Sequence, residues 1–94
     1  MRGDTNTLIA ERDRIEKELA PLDEEKVKLE KEHAELAGKA EANAGDTEIL
    51  AQIKIRTEQV IEAKRKNERL IAEVTERLKE VEENILMLEQ SDIV

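Results

Sequence analysis

Apolar residues recur along this chain at intervals of seven. Leu8, Ile15, Leu22, Leu29 and Leu36 follow one another without a miss and define a ladder of d positions. The matching a positions, Thr5, Arg12, Leu19, Lys26, His33 and Ala40, are weaker. From Leu50 onward the frame changes and strengthens. Leu50, Thr57, Lys64, Ile71, Leu78 and Ile85 then occupy a, while Ile53, Val60, Asn67, Val74, Val81 and Leu88 occupy d. Two apolar positions in every seven, with charged residues between them, place one sticky stripe along a helix. The pattern predicts an all-α fold of coiled-coil type.

The ladder passes from d to a between Leu36 and Leu50, which a single straight coiled coil accommodates only through a defect. A chain reversal is the simpler explanation, with a continuous rod as the alternative. Asn43–Glu48 carries the punctuation for a turn. Gly45 is expected in the left-handed conformation that closes a helix. Asp46 or Thr47 then caps the next one, and Glu48 complements its dipole. The expected architecture is an antiparallel helical hairpin turning near Gly45. Such a fold sets Leu8, Ile15, Leu19 and Leu22 opposite Ile71, Val74, Leu78 and Ile85. It also brings Asp23-Glu24-Glu25 towards Lys64-Arg65-Lys66, and gathers the polar seam residues Lys26, His33, Thr57, Lys64 and Asn67 nearer the turn.

Pro21 interrupts the first arm. Its ring removes an N–H and clashes with the preceding turn, a cost of ~3 kcal/mol inside a helix. Asp23, Glu24 and Glu25 after it suit the first turn of a new helix. A kink near Pro21 is therefore expected, with helices of about 5–19, 22–43 and 47–90 in a single coiled-coil segment, 1–94. Asp4 or Thr5 is the expected cap of the first. Pairs such as Asp13–Lys17, Glu24–Lys28, Glu35–Lys39, Glu62–Lys66 and Glu73–Arg77 have favourable i,i+4 order, worth ~0.2–0.5 kcal/mol each.

Composition narrows the function. The chain has 94 residues, 43% of them charged, and no Phe, Tyr or Trp, so any core must be aliphatic. Pockets for small molecules lean on aromatic walls, and no small-molecule substrate is expected. Net charge is −8, and each half, split at Ala44, carries twelve acidic and eight basic residues. An acidic chain gains nothing from phosphate counterion release, so nucleic acid is not an expected partner. Lys64-Arg65-Lys66 with Arg69 is the one basic cluster, read as a solvated face. No apolar run is long enough for a membrane span. The absence of cysteine fits a cytoplasmic setting. His33 is the single histidine and has no second His, Cys or nucleophile to complete a metal site or a triad. No enzyme activity, metal or cofactor is expected. Arg2-Gly3-Asp4 and the terminal Asp92-Ile93-Val94 match short recognition patterns too loose to carry a function.

What remains is binding between helices. A two-helix seam is marginal against a backbone entropy cost of ~1–2 kcal/mol per residue, so a partner is expected. Ile49, Ile55, Ile61, Ala63, Leu70, Leu86 and Met87 are apolar residues off the a/d stripe. Leu70, Leu86 and Met87 are expected to meet a second chain, and Ile55 to lie bare. The expected function is a scaffolding or oligomerisation module that self-associates into a dimer or small bundle, or binds another helical protein. Its expected interface is Leu50, Ile53, Val60, Asn67, Leu70, Ile71, Val74, Leu78, Val81, Ile85 and Leu88, with Lys64 and Asn67 setting register. The alternative is a regulatory hairpin that presents an acidic tip, Asp46 and Glu48, to a larger assembly.

Overall fold

The computed structural model describes the backbone of residues 2–93 and the side chains of residues 5–90. The side chains of Arg2-Gly3-Asp4 and Asp92-Ile93-Val94 lie outside the described residues. Two helices make up the fold: α1, Arg2–Ala42, and α2, Thr47–Ile93. No strand occurs among the described residues.

The reversal falls at Asn43–Asp46, as the sequence pattern predicts, but it is built differently. The Asn43 backbone N–H donates to the Lys39 carbonyl at 3.0 Å, and its side-chain Nδ2 donates to the same oxygen at 2.8 Å. The end of α1 is thereby satisfied by an asparagine. The Asp46 N–H then donates to the Asn43 carbonyl at 2.9 Å, closing a tight turn. Asp46 starts α2 as its cap. Its carbonyl accepts from the Leu50 N–H at 3.0 Å, and its Oδ1 accepts from the Ile49 N–H at 3.1 Å. Gly45 does not adopt the expected left-handed conformation, since no described residue has positive φ. With Asn43 closing one helix and Asp46 opening the next, the turn has no need of it.

Two other expectations about α1 are corrected. The helix begins at Arg2, so Asp4 and Thr5 are inside it. The Thr5 hydroxyl makes no hydrogen bond and is no cap. Nor is the helix divided at Ala20–Pro21 into segments 5–19 and 22–43. It runs on through Pro21. Loss of the Pro21 N–H removes one bond to the Lys17 carbonyl, and the exposed ring points to solvent. Keeping the helix intact preserves the seven-residue phase that buries Ile15 and Leu29 and half-buries Leu22. A break would throw that phase out of step.

The packing forms two compact units, one comprising the chain up to Leu22 and from Leu70 onward, the other Asp23–Arg69. In the first, Ile15, Val74, Val81 and Ile85 are buried together, with Leu8, Ile9, Leu19, Leu22 and Leu78 packed around them. In the second, Leu29, Leu36 and Val60 are buried, with Ile53 against them. Each core is drawn from a and d residues: the buried ones are d except Ile85, an a residue, and the d residues Leu8, Leu22 and Ile53 are only partly buried. Lys26 departs from the pattern and is exposed. Ile9 joins the first core from an off-ladder position beside the poorly apolar Arg12.

Because Pro21 interrupts hydrogen bonding in a continuous, solvent-facing stretch, Pro21→Ala should raise the unfolding free energy by about 1–3 kcal/mol. Urea denaturation followed by circular dichroism measures this, and a loss of stability would indicate that the ring is structurally required. At the turn, a Cβ on Gly45 meets nothing within 4 Å. Gly45→Ala should therefore be neutral or gain up to about 1 kcal/mol, whereas Asp46→Ala should lose about 1 kcal/mol with its cap.

Candidate functional site: the helical seam and its flanks

The residues with functional potential are those that line the contact between α1 and α2, together with those left outside it. Of the eleven expected interface residues, Val60, Asn67, Val74, Val81 and Ile85 are buried within the chain itself. Leu50, Ile53, Ile71, Leu78 and Leu88 are half-buried. Leu70 alone stays open, at 40% exposure. The seam thus satisfies itself internally, and a buried member meets a second chain only if the arms separate. Beyond the seam, Val27, Ile55, Leu86 and Met87 are exposed, Met87 at 64%.

In the Asp23–Arg69 unit the polar seam residues are accommodated individually. Lys64 Nζ lies 3.3 Å from His33 Nδ1 in a half-buried contact across the two arms. An ammonium only donates, so in this contact Nδ1 is the accepting atom. Thr57 Oγ1 donates to the Ile53 carbonyl at 2.7 Å, on its own helix. Asn67 is 5% exposed, the only polar residue buried to this degree among those described.

The two flanks of this unit differ. One is charged. There Arg56 Nε and Nη2 both reach Glu32 Oε1 at 2.6 Å, and Arg56 Nη1 donates to Gln59 at 3.3 Å. Lys28, Lys31, Glu35 and Lys39 line the same side. The other flank is a largely apolar groove of about 280 Å³. Its floor is Leu36, Ala40, Leu50, Ile53 and Thr57, and Ala37, Lys54 and Glu58 stand at its edges. Periodicity explains the contrast. Arg56, Glu32 and Lys39 occupy g positions, whereas Ala37 and Lys54 occupy e, and the small alanine leaves space.

In the unit holding the termini, Arg77 Nη2 pairs with Glu18 Oε2 at 3.0 Å, also through g positions. Arg12 lines a cleft with Ile85, Leu86 and two glutamates, and its Nε has no hydrogen-bond partner. This unit carries twelve acidic and six basic residues, net −6; Asp23–Arg69 carries twelve and ten, net −2. Charge that is even between the sequence halves is uneven between the folded units.

The expected match of Asp23-Glu24-Glu25 with Lys64-Arg65-Lys66 does not form. Among the described residues neither run makes a cross-arm ion pair, and Arg65 instead meets Glu62 on its own helix at 3.8 Å. The five expected i,i+4 pairs are absent too. Long solvated side chains gain too little from them, and Arg77 turns across the seam to Glu18 in preference to Glu73. At the tip, Asp46 is engaged as a cap and Glu48 is exposed. Among the described residues no cluster of acidic, His or Cys side chains could hold a metal ion, and no helix is long and apolar enough to cross a membrane. Comparison with protein families, with curated proteins and with solved structures finds no match to this chain.

Burial separates residues that hold the fold from residues free to contact partners. Ile15 is 1% exposed and Ile55 is 59% exposed. Ile15→Ala should therefore cost about 2–5 kcal/mol, while Ile55→Ala should change stability by less than about 0.5 kcal/mol. Thermal unfolding of the two variants compares them directly, and similar losses would show Ile55 to be covered in solution.

Proposed function

We propose that this chain is a coiled-coil hairpin that serves as a scaffolding and oligomerisation module, with a second copy of itself as partner. The observation that carries this reading is the distribution of aliphatic side chains. The seam already buries much of the a/d stripe, yet Val27, Ile55, Leu70, Leu86 and Met87 stay exposed and one flank of the turn unit is an open apolar groove. Covering such surface is worth ~25 cal/mol per Å², and a two-helix seam needs that support. The mechanism is knobs-into-holes burial, first within the hairpin and then between hairpins. Polar layers at Lys64 and Asn67 select the register, Lys64 because a shifted pairing would separate it from His33. A cysteine-free chain needs no disulfide for this, which suits the cytosol.

Light scattering on the purified protein, across micromolar concentrations, tests the proposal. A dimer of twice the 10.8 kDa chain is expected, with dissociation on dilution. A monomer throughout that range would overturn self-association.

A further inference from the structure

We infer that the second copy packs against α2 end for end, on a two-fold axis that crosses this helix near Leu70. This rests on the self-association reading and specifies where it occurs.

α2 runs unbroken from Thr47 to Ile93, so spacing along it fixes which residues share a face. Its charge changes sign at Leu70. The sixteen residues before it, 54–69, carry six basic and three acidic side chains, net +3. The sixteen after it, 71–86, carry two basic and five acidic side chains, net −3. Two such helices side by side in the same direction repel along both halves. Turned end for end, each sets its basic half against the acidic half of the other, twice over by symmetry. The helix is thus complementary to itself, which argues for a second copy over an unrelated partner.

The solvent face of α2 repeats this polarity. Lys66, Leu70, Glu73 and Glu76 follow one another at steps of three and four, and all are exposed. Leu70 is 40% exposed, the one expected interface residue that the hairpin leaves open. On the axis it meets its own counterpart. Counting outward from Leu70, Lys66 stands level with position 74, one residue (~1.5 Å) from the partner's Glu73. The same steps of three and four reach Ile55 in one direction and Met87 in the other, fifteen and seventeen residues from Leu70. Both are exposed, and the reversal carries each towards the other's counterpart.

The charges required are free, and the exceptions to the pattern are already matched. Among the described residues Lys66, Glu73 and Glu76 form no ion pair within the chain. Glu62, an acid on the basic side of Leu70, pairs with Arg65, and Arg77, a cation on the acidic side, pairs with Glu18.

Sedimentation equilibrium on the full chain and three single variants provides the test. Lys66→Glu and Glu73→Lys should each weaken dimerisation about tenfold, as two like-charge contacts replace two ion pairs. Glu73→Lys is the sharper of the two. It lowers the chain's net charge of −8 by two in magnitude, so general repulsion alone would tighten association. An equimolar mixture of these two variants should regain near wild-type affinity, because each chain then meets opposite charge at both sites. Leu70→Glu should weaken the dimer at least about tenfold, with circular dichroism confirming that the helices stay folded. A wild-type dimer indifferent to all three substitutions would overturn this contact while leaving self-association standing. Tighter association by Glu73→Lys, or weakened variants that mixing fails to rescue, would overturn the end-for-end pairing. A monomeric wild type would overturn both proposals.

Discussion

Two helices in contact can bury only a narrow strip of each other, and without aromatic residues this chain has only aliphatic side chains to fill it. That limit accounts for the arrangement of everything else. Ile15 and Val60 are enclosed almost completely, while residues one helical step away are only half covered. A wider core would need a third layer. Each unit therefore has a narrow buried row, d residues with Ile85 among them, and partly covered a and d residues at its edges. Stability depends on keeping those rows in phase along both helices.

Phase explains what the helices tolerate. Pro21 costs a hydrogen bond, yet breaking α1 there would rotate the residues on one side out of the seam. A continuous helix with one missing bond is the less costly outcome. The turn obeys the same constraint. Asn43 and Asp46 satisfy the helix ends with their own side chains, so the reversal is short and the arms enter the seam without slack. Polar seam residues are treated unequally: Lys64 finds His33, while the Thr5 hydroxyl and Arg12 Nε are enclosed without a hydrogen bond. Lys26 swings out to solvent instead.

The heptad ladder made the helices, the reversal and the seam legible, because burial at a and d depends only on helical geometry. Local chemistry was less legible. Gly45 looked like the conformational key to the turn, but a glycine reveals only what the backbone could adopt, and Asn43 made the left-handed form unnecessary. Pro21 looked like a boundary because its local cost is plain in sequence, whereas the packing that outweighs it depends on residues from the other helix. The charge runs around Asp23 and Lys64 matched in sequence yet do not pair, since exposed ion pairs gain too little to fix long side chains. The division into a charged and an apolar flank was not visible at all. It depends on which of e and g from each arm come together, and that requires the direction and register of the hairpin.

The unequal flanks give the Asp23–Arg69 unit distinct sides, and under the proposed self-association charge decides which regions can approach another copy. The unit holding the termini carries net −6, and six unbalanced charges repel a second copy over roughly a Debye length, about 8 Å at physiological salt. Asp23–Arg69 carries only −2 and holds the basic residues Lys54, Lys64, Arg65, Lys66 and Arg69. Repulsion is weakest in the unit that holds the apolar groove. In the proposed self-association, apolar burial supplies an attraction with no directional preference, and the charges bias it towards the Asp23–Arg69 unit. Specificity in so featureless a sequence then comes less from its apolar residues, which are alike everywhere, than from the few places where repulsion is relaxed.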